Sequence, residues 1–211
     1  VNEESWTLQR CEMVRTQLQS RGICDPRVLT AMGAVPRHEF VPADLQEHAY
    51  ADGALAIGHG QTISQPYIVA RMAELARLNG GERVLEIGAG CGYASAVLSL
   101  LAGRVCALEL EESLSLAARL RLMHLGYTNL DLRQGDGWSP WPGGGVFEAI
   151  FCACAPETLP AILVGQLAEG GRLIIPIGPR NAPQTLLCLR KEPDGKLVEE
   201  AADPVRFVPM R

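Results

Sequence analysis

The chain of 211 residues is 47% hydrophobic and 20% charged with a formal net charge of −5, a profile that fits one soluble globular domain with a sizeable core. No Lys/Arg cluster stands out to meet a phosphate backbone, and no apolar run is long enough to span a bilayer, so neither nucleic acid nor a membrane is expected as a partner. The opening "VNEESWTLQR" is acidic and has no apolar core segment; a secretory signal is not expected, and a cytoplasmic protein is.

In chain order, "TLQRCEMVRTQLQSRG" predicts a helix with an apolar face at Leu8, Cys11, Val14 and Leu18, closed by Gly22. Asp25-Pro26 reads as an N-cap with proline at the first helical position, opening the helix "PRVLTAMGAV". Pro36 and Pro42 break the chain on either side of "RHEFV". The stretch "GHGQTISQPY", Gly58 to Tyr67, has neither strand nor helix periodicity and reads as a polar loop before the helix "YIVARMAELARL". From Arg83 the pattern changes. "RVLEIGAG", "RVCALEL", "LDLRQGD", "FEAIFCACA" and "RLIIPIG" read as strands; "YASAVLSLLAG", "SLSLAARLRLMHLG" and "LPAILVGQLAEGG" read as the helices between them. Two further strands surround the turn "PDGK".

This order predicts an α/β fold: a Rossmann-like, doubly wound, mostly parallel seven-stranded sheet with helices on both faces. An antiparallel hairpin is expected at its C-terminal edge and a helical extension at the N-terminus. A single domain is expected over 1–211, divided into the extension 1–57, a cofactor-binding core 58–180, and a hairpin with a substrate-side strand 181–211. The seven cysteines are an odd number with no C-x-x-C pair. They read as reduced thiols, not as a disulfide framework, and no metal site is expected.

"VLEIGAGCGY" places Gly88, Gly90 and Gly92 at the carboxyl end of the first long strand, where open α/β sheets bind ligands. The spacing is G-x-G-x-G, and Tyr93 stands where a dinucleotide fingerprint needs its third glycine, which argues against a pyrophosphate and against a nicotinamide enzyme. Glu86, just before the loop, would repel phosphates and suit a cationic ligand. Glu109 ends the second strand seventeen residues after Gly92, where a carboxylate can accept from ribose hydroxyls; a solvated strand end is the plainer alternative. Asp136, with Gly137 in "QGDG", ends the third strand, where it can meet an adenine amino group or simply make a turn. An adenosine-bearing, cationic ligand without phosphates is S-adenosylmethionine.

The sequence here resembles the class I methyltransferases and, more closely, the protein-L-isoaspartate O-methyltransferases. The resemblance rests on "AYADGALAIGHGQTISQPYIVARM", on "VPRHEFVP" before it, and on "VLEIGAGCGY", "GDGW", "GGRLIIPIG" and "PVRFVPM" in order after it, from about Cys11 to Met210. It implies methylation of the free α-carboxylate of L-isoaspartyl residues in damaged proteins and peptides, the first step of their repair. It makes Ser64 the active-site residue, its hydroxyl positioning the substrate carboxylate, with Thr62, Ile63 and Gln65 closing over the cofactor. It sets His59 on the substrate side, where a structural donor is the alternative, and Gln184 near both cofactor and substrate. It runs Val205, Arg206, Phe207 and Val208 beside the peptide, open to main-chain pairing. A monomer is expected. The sequence departs from the family at "SPWP" after "GDGW" and at "CACAP" after the fourth strand. Two other readings share these motifs: a carboxyl methyltransferase specialised for one peptide or small carboxylate, and a module that binds S-adenosylmethionine without turnover.

Overall fold

The computed structural model describes residues 2–180 and 182–211. Helix α1 (Glu3–Met13) is capped by Asn2, whose side chain accepts from the Ser5 amide, and it continues through a π turn and a 3₁₀ turn to Gly22. Its buried face differs from the predicted one. Trp6, Met13 and Leu18 point inward, while Leu8 and Cys11 are exposed, because Trp6 stacks on the buried His38 ring and sets the helix rotation. Helix α2 (Pro26–Ala34) starts as expected, with the Asp25 carboxylate accepting from the amides of Arg27 and Val28.

The polar stretch proves to be half of a hairpin. Strands β1 (Leu55–Gly58) and β2 (Gln61–Ile63) pair antiparallel, with Leu55 opposite Ile63 and Ala56 opposite Thr62. His59 and Gly60 form the turn, both at positive φ (53° and 69°), as two-residue hairpin turns require. Only short strands form and their outer face is wet, so no period-2 pattern is legible. The expected boundary at 57/58 falls inside β1. Helix α3 (Pro66–Ala76) follows directly.

The main sheet then builds from β3 (Arg83–Ile87), β4 (Arg104–Glu109), β5 (Leu130–Gln134), β6 (Phe147–Cys152), β7 (Leu167–Ile177), β8 (Gln184–Lys191) and β9 (Leu197–Val205). Their order is β5-β4-β3-β6-β7-β8-β9. The first five in the chain are parallel, and β8 and β9 add antiparallel as the expected hairpin. Helices α4 (Tyr93–Ser99), α5 (Glu112–His124) and α6 (Ala161–Gln166) make the crossovers. The sixth helix is shorter than predicted: β7 begins at Leu167, which pairs with Phe147, so the ladder takes over residues read as helical.

Alternation of side chains divides the core in two. Val84, Val105, Ala107, Ala149 and Phe151 face α2, α3, α4 and α5. Leu85, Cys106, Ile150, Leu173 and Ile175 face the other way, onto Leu163 of α6 and Trp141. Among the described residues that second face has no helix between β5 and β6; the buried Trp141 covers it there.

Candidate active site

Strand order reverses at β3, which has β4 on one side and β6 on the other. The turns leaving these three strands diverge at their carboxyl ends and open a cavity, as expected at a switch point. Gly88 and Gly90 come from the β3 turn, Glu109 and Leu110 from β4, and Ala153 and Cys154 from β6. Gln61, Thr62, Ile63 and Ser64 of the hairpin cover it, and Pro209, Met210 and Arg211 of the tail close another side. The hairpin lies hard on the glycine loop: a Cβ added at Gly90, whose φ is 56°, would come within 3.2 Å of Ile57 Cδ1. Glycine there permits both the backbone conformation and the approach of the lid.

Two carboxylates line the cavity, both almost wholly buried. Glu109 Oε2 accepts from the Gly90 amide at 2.7 Å and Oε1 from the Glu111 amide at 2.9 Å, so it ties the glycine loop to the start of α5. Glu86 accepts from the Ser95 hydroxyl. Burial pushes the Glu86 carboxyl up to about 7; the Ser95 hydrogen bond opposes this, and the neighbouring Glu109 charge adds to it. Two buried acids facing one cavity favour a cationic occupant.

A groove adjoins the cavity on the far side of the hairpin, lined by Gln65, Ile68, Pro183, Pro204 and the tail residues Val205, Arg206 and Phe207. Thr62, Ser64, Ala153 and Val208 line both spaces. Ser64 therefore stands at their junction.

Most of the sequence-predicted residues converge here. Thr62, Ile63, Ser64, Glu86, Gly88, Gly90, Glu109 and Gly137 line the cavity; Val205, Arg206, Phe207 and Val208 line the groove. Others sit elsewhere. Gln65 faces the groove and donates to Asp52 at 2.7 Å, because it begins α3 and turns away from the cavity. Gly92 caps α4 and abuts Leu122, where a Cβ would lie 3.0 Å from its Cδ1; its smallness serves helix packing. Asp136 is exposed, and its carboxylate is occupied with the Trp138 amide at 2.9 Å. His59, at the hairpin tip, meets Ser113 Oγ at 3.0 Å and Glu111 at 3.8 Å, away from the groove. Gln184 is buried between β8 and the tail, where its Oε1 accepts from the Phe207 amide at 2.8 Å. The main chain predicted to pair with a peptide is also partly taken: Val208 O accepts from Ala155 N at 2.8 Å.

Several lining residues were not anticipated. Ala153 and Cys154 carried a usable signal, since they follow a parallel strand at its carboxyl end. Met210 and Arg211 carried none; they arrive because Met210 N donates to Ala155 O at 2.9 Å and Arg211 pairs with Glu111 at 2.8 Å.

Comparison with known proteins bears on the same residues. A family model described as protein-L-isoaspartate(D-aspartate) O-methyltransferase matches residues 9–211. The chain belongs to this family. A protein-L-isoaspartate O-methyltransferase of Synechococcus sp. (strain JA-2-3B'a(2-13)) is 51% identical over 208 residues, covering 96% of this chain and 85% of that protein. Protein-L-isoaspartate O-methyltransferase 2 of Anaeromyxobacter sp. (strain Fw109-5) is 52% identical over 203 residues, covering 96% and 83%. A Plasmodium falciparum structure assigned to the same enzyme class, in complex with S-adenosyl-L-homocysteine, superposes with a TM-score of 0.80 at 25% identity over 96% of this chain and 98% of that one. The lining fits the family's cofactor: buried carboxylates for a sulfonium and ammonium, and a glycine turn that a side chain would fill.

Proposed function

We infer that this chain transfers a methyl group from S-adenosylmethionine to the free α-carboxylate of L-isoaspartyl residues in damaged proteins and peptides, initiating their repair to L-aspartyl. Bound in the cavity, the cofactor supplies a methyl group on a cationic sulfur. The acceptor carboxylate is already ionised at neutral pH, so the protein need not remove a proton. Its contribution is to set the two reactants in line and keep water out.

The observation that carries this reading is Ser64 at the junction of cavity and groove. From there its hydroxyl can donate to a carboxylate entering along the groove, leaving the second carboxylate oxygen to face the cavity. Glu109 would accept from the cofactor's ribose while its bonds to the Gly90 and Glu111 amides fix the glycine turn, and Glu86 would offset the cofactor's positive charge. Arg206, exposed at the groove, attracts the acidic residue electrostatically. Gln184 acts one step back by bracketing Phe207, which keeps the groove wall in register. The hairpin covers the reacting atoms as a lid, and cofactor exchange requires it to lift.

A cytoplasmic, monomeric protein acting on isoaspartyl proteins belongs to the same reading. None of the described helices is long and apolar enough to cross a membrane. The test is methyl transfer from labelled S-adenosylmethionine to matched peptides containing L-isoaspartate or L-aspartate. Labelling of the isoaspartyl peptide alone is expected. Equal labelling, or none with cofactor bound, would refute the substrate.

A further inference from the structure

Cys152 and Cys154 flank Ala153 where β6 leaves the sheet, and their sulfurs lie 3.7 Å apart. Cys152 is fully enclosed, its thiol donating to the Cys154 carbonyl at 3.1 Å. Cys154 is half-buried and lines the cofactor cavity, its sulfur 3.7 Å from where a Cβ at Gly88 would be. The arrangement is therefore asymmetric: one thiol is open to a reagent entering the cavity, and a second waits behind it within van der Waals contact.

We propose that Cys152 and Cys154 form a dithiol oxidation site that peroxides reach through the empty cofactor cavity and that bound cofactor shields. The Cys154 sulfur attacks one peroxide oxygen; the O–O bond breaks, and the other oxygen leaves as water after taking up a proton. The Cys154 sulfenic acid is then attacked by the Cys152 sulfur; the S–O bond breaks and the hydroxyl leaves as a second water with the Cys152 proton. Two thiols are oxidised to a disulfide and one hydrogen peroxide is reduced to two waters. Closing the bond brings the sulfurs from 3.7 Å to about 2.05 Å and twists the peptide at Ala153. Ala153 forms part of the wall between cavity and groove, so the closed ring distorts the place where the two reactants meet.

The hydrogen bond with Cys152, together with burial, holds the Cys154 thiol well above the ordinary cysteine range. Attack runs through a small ionised fraction, so the site answers a strong oxidant slowly and is quiet toward weak ones. Dithiothreitol reopens it.

The experiment uses the full chain, cofactor-free, treated with hydrogen peroxide and digested with trypsin. Residues 134–172 make one tryptic peptide that contains Cys152 and Cys154 and no other cysteine. This peptide is expected to lose two hydrogens, about 2 Da, and to recover its mass with dithiothreitol. Methyl transfer should fall and recover in parallel, although the mass change stands without the methyl-transfer reading. Saturating S-adenosylhomocysteine, its binding confirmed by calorimetry, should slow the mass loss roughly tenfold or more, as covering a site to well above its Kd does. Cys152→Ala, a position outside both spaces, should keep its activity and instead trap dimedone on Cys154. A wild-type peptide that keeps its mass, or gains oxygen without losing hydrogens, overturns the proposal. Equal rates with and without bound S-adenosylhomocysteine overturn the route through the cavity.

Discussion

Replacing Glu86 with glutamine should stabilise the cofactor-free protein and weaken its hold on the cofactor. Glu86 is 1% exposed, and its carboxyl sits at about 7 against an ordinary value of 4.5. Its folded-state value is raised, so the folded protein binds the proton more tightly than the unfolded chain does. Stability is therefore greatest when the group is protonated in both states and falls as pH rises from about 4.5 to about 7. At 1.36 kcal/mol per pH unit the full cost at pH 8 is about 3 kcal/mol, and at pH 5 it is less than about 1 kcal/mol. Glu86→Gln removes the charge but keeps an oxygen for the Ser95 hydroxyl. The variant should gain about 3 kcal/mol at pH 8, or roughly 6–12 °C in Tm for a chain of this size, and much less at pH 5. Urea unfolding of both proteins at the two pH values measures this. The same change removes a carboxylate facing the cationic cofactor, so Kd for S-adenosylmethionine should rise by about ten- to a hundredfold, the equivalent of about 1.5–3 kcal/mol. A gain in stability that does not depend on pH would refute the charge argument. Unchanged affinity would refute the placement of the cation.

Ser64→Ala should lower kcat/KM for an isoaspartyl peptide by about ten- to a hundredfold, the worth of a hydrogen bond to a carboxylate, while calorimetry shows cofactor affinity nearly unchanged. Comparable losses in both would make Ser64 a cofactor or folding residue. Gly137→Ala should destabilise the fold by about 1–3 kcal/mol, because the new methyl would lie 2.4 Å from Ile87 Cγ2 and 2.9 Å from Met210 Cε; thermal unfolding reads it, and an unchanged Tm would contradict the packing at the cavity floor. Glu111→Gln loosens the points where the hairpin tip and the tail are both fastened, through His59 at 3.8 Å and Arg211 at 2.8 Å. These pairs are partly exposed and worth little each, so stopped-flow release of the cofactor should speed up only about two- to fivefold. No change would mean that these contacts do not govern the lid.

The alternation of strands and helices from Arg83 onward, and hence the sheet and its C-terminal hairpin, was legible because it rests on short-range rules. A strand buried on both faces must be apolar along its length, and a glycine turn must end it where the chain turns toward a ligand. Those rules also located Glu86, Gly88, Gly90 and Glu109. The family resemblance was not needed for that much, but Ser64 became visible only through it.

What the tertiary structure decided is the convergence. Strands β1 and β2 are too short to carry a periodic signal, and they exist because Ile57 and Ile63 are buried under them. Gln184 and Phe207 lie 23 residues apart in the chain, and their bond follows from where β8 and β9 land in the sheet. Asp136 and His59 had suitable chemistry and suitable neighbours in sequence, yet a turn amide claims one and the start of α5 the other. Local sequence sets which faces are apolar and where the backbone can turn. Which distant residues then share a cavity depends on strand order and on the contacts that compete for each side chain, and neither is written in any short stretch of the chain.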